Sequence, residues 1–164
     1  MRITKIEDTI SNGEGVRVIV WTQGCLHCCS SCNNQQTWDP NGGYEFTNEI
    51  KEDLFHQLSR PYIKGITFSG GDPLHPQNRW GVLELCQQIK EQFPHKTIWL
   101  YSGFTYEQIQ GFIPDLLPYL DVLVDGKFEI DKYSPILKWR GSSNQRVIDV
   151  PQARQKGEII LFCE

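Results

Sequence analysis

No stretch of this 164-residue chain approaches the ~18 consecutive apolar residues of a membrane-spanning helix, and Met1-Arg2-Ile3-Thr4-Lys5-Ile6-Glu7-Asp8 lacks the apolar core of a secretory signal. No membrane association is expected, and a cytoplasmic location is. Basic charge is scarce as well. The net charge is −4, with Lys and Arg scattered among Asp and Glu, so nothing forms a stripe for nucleic acid or a polybasic segment for anionic lipid. Internal repeats, low-complexity tracts and linkers are missing. That absence points to one domain over residues 1–164, a size that buries about 70% of the surface an unfolded chain exposes. Neither GxxxxGK[ST] nor GxGxxG occurs, which removes the usual phosphate-binding loops.

Cysteine, by contrast, is concentrated. Cys25, Cys28, Cys29 and Cys32 fall in one run from Gly24 to Asn34 and contain the spacing CxxxCxxC. In a reducing compartment such a cluster reads as metal ligands rather than a disulfide framework. Three thiolates from one loop can hold three irons of a [4Fe–4S] cluster and leave the fourth iron open for chemistry, whereas an electron-transfer cluster takes a fourth cysteine. A competing set, Cys25, Cys28 and Cys32, has the reversed spacing. Two non-enzymatic readings also stand: a ferredoxin-like carrier using all four thiols, and tetrahedral zinc, whose paired CxxC motifs are usually separated by roughly a dozen or more residues. Cys86 lies on an apolar helical stripe and reads as a buried, inert thiol. Cys163 is assigned no role.

Apolar periodicity places buried strands at Val16–Thr22, Gly65–Ser69, Thr97–Tyr101 and Leu120–Val124. Between them, Ile50, Leu54 and Leu58 recur at helical spacing, as do Val82, Leu85, Cys86, Ile89 and Phe93. A third helix is expected from Thr105, which forms a capping-box pattern with Gln108, and it stops before Pro114. Strands alternating with helices argue for an α/β fold with a mostly parallel, curved sheet and outer helices. About four or five βα units fit, fewer than the eight of a closed barrel, so an open, partial βα barrel is expected. Ligands of such sheets bind beyond the carboxyl ends of the strands, where the cysteine run and Ser69-Gly70-Gly71-Asp72-Pro73 both lie.

These two motifs resemble the radical S-adenosylmethionine (SAM) superfamily. Four segments resemble, more narrowly, the activating proteins of anaerobic ribonucleoside-triphosphate reductases: Asn12 to Arg17, Gly24 to Asn34 with Thr37-Trp38, Gly70 to Asn78, and Val122 to Phe128 with Trp139 to Gln145. The resemblance implies that Cys25, Cys29 and Cys32 ligate three irons and that SAM chelates the fourth. It implies reductive cleavage of SAM to methionine and a 5′-deoxyadenosyl radical, which takes hydrogen from a glycine of the reductase. Reduced flavodoxin or a similar donor would supply the electron. No side chain is assigned a catalytic role, and Cys28 is extra.

For the cofactor, the resemblance places SAM's amino group against Gly70 and Gly71, where a side chain would block close approach of the backbone. Asp72 would orient the ammonium or cap the following helix, and Asp125 and Lys127 would hold the carboxylate or ribose. Members of the superfamily commonly carry an aromatic residue before the third cysteine, and reductase activators often have Tyr after it. Here those positions are Ser31 and Asn33, so adenine would rest on main-chain groups from Ser31 through Cys32 to Asn33. His27 is placed to donate to a cluster sulfur. Trp139 and Arg140, residue types favoured at interfaces, are expected to meet the partner. An activase of another glycyl radical enzyme, such as pyruvate formate-lyase, shares all of this mechanism.

Overall fold

In the computed structural model, which describes residues 1–163, the strands are β1 (Arg2–Thr9), β2 (Arg17–Thr22), β3 (Tyr44–Glu45), β4 (Gly65–Gly70), β5 (Thr97–Ser102), β6 (Val122–Asp125) and β7 (Arg146–Asp149). The α-helices are α1 (Asn48–Leu58), α2 (Arg79–Gln92), α3 (Tyr106–Phe112) and α4 (Val150–Lys156). The strands build one seven-stranded sheet in the order β3-β1-β2-β4-β5-β6-β7. No helix among the described residues is long and apolar enough to cross a membrane.

The sheet corrects the expectation of a mostly parallel partial barrel surrounded by helices. The pairings β2–β4, β4–β5 and β5–β6 are parallel, but β1–β2, β1–β3 and β6–β7 are antiparallel, so the sheet is mixed. The connections explain the difference. A parallel neighbour needs a long crossover, usually helical, and only the links from β2 to β4, β4 to β5 and β5 to β6 contain one. The chain returns from β1 through a short loop, and the segment from Gly126 to Gln145 carries a single 3₁₀ turn, Ile130–Lys132, before β7 runs back beside β6.

Helices cover one face of the sheet. Leu54 and Leu58 of α1, Val82, Cys86 and Ile89 of α2, Ile109 of α3 and Val150 and Ala153 of α4 pack into one core with Val18, Val20, Ile66, Phe68, Ile98, Leu100, Leu123 and Ile148. Residues of alternate parity point the other way. There Trp99, Val122, Val124 and Val147 form a small second cluster, joined by Tyr101, Trp139 and Cys163, with no helix above it. Arg17 is wholly buried on this side. Its guanidinium donates to Thr67 Oγ1 (2.9 Å), Thr97 Oγ1 (2.8 Å) and the carbonyls of Glu14, Ile66 and Thr97, and stacks over Trp99 at 5.5 Å. With no carboxylate in contact, burial pulls its pKa down to about 10.

Candidate metal centre

The cysteine run leaves the carboxyl end of β2 on a stem held by main-chain bonds. Gly24 N donates to Thr37 O (2.7 Å) and Cys25 N to Trp38 O (3.1 Å), while Asp72 N from the glycine turn donates to Gly24 O (2.8 Å). The buried Gln23 reinforces the stem: its Nε2 donates to Gln36 O and Asp39 O, and its carbonyl accepts from Gln77 Nε2 (2.9 Å) and Asn78 Nδ2 (2.8 Å). Cys loop and Gly-Gly-Asp turn are therefore one assembly.

Beyond the stem the loop alternates. Cys25, His27 and Cys29 are partly buried, whereas Leu26 and Cys28 are exposed. Cys28 and Ser31 both take left-handed backbone, φ +52° and +59°, turning the chain just before Cys29 and Cys32. Cys25, Cys29 and Cys32 thus share the inner side while Cys28 faces solvent. Burial pushes the Cys25 thiol up to about 11, opposed by the facing His27 amide and reinforced by Asp72, Cys29 and Cys32. Burial also raises Cys29, which the Phe128 amide and the Lys127 ammonium pull back down. Asn34 N donates to Cys32 Sγ at 3.3 Å. Each inner sulfur thus lies opposite a main-chain N–H.

Among the described residues no three Cys, His, Asp or Glu side chains converge on one point for a single ion. A cluster takes its ligands at separate irons, so three thiols set around a loop suit it without meeting at a point. Cys29 and Cys32 lie near enough to act on Cys25 electrostatically, and three such thiols are a donor set of the chemistry that iron–sulfur clusters take.

At the glycine turn, Gly70 has φ +109° and a side chain there would overlap the backbone of Thr22; one at Gly71 would overlap the Gly24 carbonyl and come within 2.8 Å of Thr37 O. Gly70 is needed for packing against the end of β2, and Gly71 for packing against the cysteine stem. Asp72 is 1% exposed, and its carboxylate accepts from Leu74 N (2.8 Å), Ser102 Oγ (3.0 Å to each oxygen) and Gly103 N (2.9 Å), with His27 Nε2 at 2.6 Å. The His27 imidazole therefore turns its Nε2 to Asp72.

On the helix-free face a cleft of about 390 Å³ opens beside Cys32, Asn33 and Asn34. Trp21, Ser69 and Tyr101 form its floor, and Phe128, Tyr133, Trp139 and Arg140 wall it. Trp21 pairs with Ser69 in register at the carboxyl ends of the parallel strands, which places the floor directly below both loops. The Tyr101 hydroxyl is buried without a hydrogen-bond partner, an orphan that a ligand in the cleft would satisfy. A larger hollow of about 460 Å³ lies on the helical side, lined by Tyr106, Leu117, Ala153 and Arg154 among others and by no cysteine.

Asp125 is buried with its carboxylate bound to Tyr106 N (2.7 Å) and to Arg146 (2.6 and 3.0 Å), so it docks α3 and β7 rather than opening to the cleft. Lys127 is exposed and lies toward Cys29. Trp139, at φ +61°, turns inward onto Trp99 (4.8 Å between centroids), and Arg140 donates to Gln145 O (2.6 Å), closing the segment on itself. The apolar residues that the segment from Gly126 to Gln145 turns outward are Ile130, 44% exposed, Tyr133, 53%, and Ile136, 90%. Sequence reasoning passed over Ser102, Gly103 and Tyr101; polar residues at the carboxyl end of a buried strand were the available signal.

Residues 11–148 match the 4Fe–4S single cluster domain family. Fold, thiol loop and this match define the class: a protein with a domain for one iron–sulfur cluster. Over 138 residues the chain is 44% identical to the anaerobic ribonucleoside-triphosphate reductase-activating protein of Vibrio cholerae serotype O1, covering 83% of this chain and 89% of that one. The protein of the same name from Enterobacteria phage T4 is 45% identical over 137 residues (83% and 85%), and that of Escherichia coli K12 is 42% identical over 140 (84% and 91%). The chain belongs to the family of anaerobic ribonucleoside-triphosphate reductase-activating proteins.

Proposed function

We propose that this chain, acting as one domain in the cytoplasm, activates an anaerobic ribonucleoside-triphosphate reductase through radical SAM chemistry at a [4Fe–4S] cluster held by Cys25, Cys29 and Cys32. Held by Cys25, Cys29 and Cys32, the cluster would supply the one-electron reduction that splits SAM into methionine and a 5′-deoxyadenosyl radical, for use on a glycine of the reductase. The electron comes from reduced flavodoxin or a similar donor.

The chain's own residues hold and shield. Gly70 and Gly71 keep the backbone low enough for the cofactor's amino group to approach, and Lys127 offers a cation to its carboxylate. Cys32 and Asn33 border the cleft, and main-chain groups from Ser31 through Cys32 to Asn33 take the adenine. Asp72 and Asp125 act one step back, fixing the glycine turn and the β6 end. The segment from Gly126 to Gln145 walls the cleft and limits water around a reactive species. The observation that carries this reading is the junction of cysteine loop and Gly-Gly-Asp turn, joined at Asp72 N to Gly24 O, above a cleft.

Its test is anaerobic reconstitution with iron and sulfide, followed by dithionite and SAM. 5′-Deoxyadenosine is the expected product, and a reconstituted protein that forms none under reduction rules the reading out. With reductase added, electron paramagnetic resonance should show a glycyl doublet whose splitting collapses when the reductase alone carries α-deuterated glycine. Because Trp139 and Arg140 are spent inside the segment, Ile136 is the better probe of the partner surface. Ile136→Ser should lower the glycyl signal by roughly fivefold, the effect of losing one apolar anchor, with uncoupled SAM cleavage unchanged. Equal loss of both would take Ile136 away from the partner.

A further inference from the structure

His27 sits between the proposed ligands yet belongs to the interior. Its neighbours Leu26 and Cys28 face solvent, while the imidazole is 7% exposed and lies 2.6 Å from Asp72 Oδ2. The ring meets Phe104 edge to face at 4.6 Å. Space is reserved for it: a side-chain carbon on Gly103 would come within 2.5 Å of the imidazole. Asp72 in turn is held by Ser102 Oγ, Gly103 N and Leu74 N. One carboxylate thus ties together the loop after β2, the turn after β4 and the carboxyl end of β5.

We propose that His27 is a positioning residue, which through Asp72 anchors the cysteine loop to the ends of β4 and β5 and so presents the thiols as a set before any metal arrives. The proposal rests on the cluster reading for its purpose, though not for its geometry. The loop from Cys25 to Asn34 has few internal bonds, chiefly Cys32 N to Cys29 O and Asn34 N to Cys32 Sγ. Two of its residues, Cys28 and Ser31, hold left-handed backbone that an unanchored chain would abandon. The stem fixes where the loop starts, and the buried imidazole fixes its middle.

Two substitutions separate the bond from the bulk. His27→Phe keeps a ring against Phe104 and loses the bond to Asp72, whereas His27→Gln offers an N–H donor at similar reach. In metal-free protein, hydrogen exchange at the amides of Cys25, Cys32 and Asn34 should quicken at least tenfold in His27→Phe and stay within about twofold of wild type in His27→Gln, with β4 and β5 unchanged. Iron affinity in competition with a chelator should follow the same order. Wild-type exchange in His27→Phe, or a His27→Gln protein as loose as His27→Phe, overturns the proposal. Should His27→Phe also loosen β4 and β5, Asp72→Asn carries the comparison under the same tenfold criterion. Wild-type protein that takes up no iron would instead sink the cluster reading, leaving exchange to decide the anchor.

Discussion

Serine at Cys25, Cys29 or Cys32 is expected to abolish both the visible absorbance of a reconstituted cluster and the formation of 5′-deoxyadenosine, while Cys28→Ser keeps both. A serine hydroxyl does not supply the soft, readily ionised donor that iron–sulfur clusters take. The expectation follows from the ligand set that the family resemblance implies. Cys28 is turned to solvent by its left-handed backbone, and the other three share the inner side, each opposite a main-chain amide. Iron and sulfide analysis with product chromatography decides it. Loss of the cluster in Cys28→Ser with retention in Cys29→Ser would reverse the ligand set.

Gly71→Val is expected to be nearly as damaging, and in a way that the sequence did not suggest. Two separate loops around one pocket would let a bulky residue exclude SAM and leave the metal alone. In the structure a side chain at Gly71 would strike the Gly24 carbonyl and crowd Thr37 O, both in the cysteine stem. The substitution should therefore lower iron content and SAM binding together, with a loss of about 1–3 kcal/mol in stability from overpacking. Iron analysis, SAM titration of the iron-loaded fraction and thermal unfolding measure the three. Full iron content with SAM binding alone lost would restore the picture of independent loops.

The parallel centre of the sheet was legible because its strands are mostly buried and rich in apolar and β-branched residues. Val16–Thr22 is observed as Arg17–Thr22, and Leu120–Val124 as Val122–Asp125. The capping box at Thr105 and Gln108 is present in full. What escaped notice were the antiparallel additions. β1 buries only Ile3 fully and otherwise alternates charge with half-exposed residues, and β7 has four residues, too few for a pattern. These elements make the sheet mixed and leave one face without helices.

At the site, the cysteine spacing was readable because Cys25, Cys28, Cys29 and Cys32 come from one loop. The partner of His27 was not, since Asp72 lies 45 positions away and only the parallel crossover brings the two together. Asp72 and Asp125 looked available from their places at strand ends. Their carboxylates are taken by groups from other elements, Ser102 and Gly103 in one case and Arg146 in the other, which no local pattern announces.

The helix-free face has a consequence for how this chain tolerates change. The large apolar core lies wholly on the other side of the sheet, against α1 to α4, and supplies most of the buried contacts that resist unfolding. Residues around the cleft, Asn12, Asn33, Tyr133, Leu137 and their neighbours, contribute little to that core. Substitutions there cost little cohesion, so the cleft rim can vary while the scaffold beneath stays as it is.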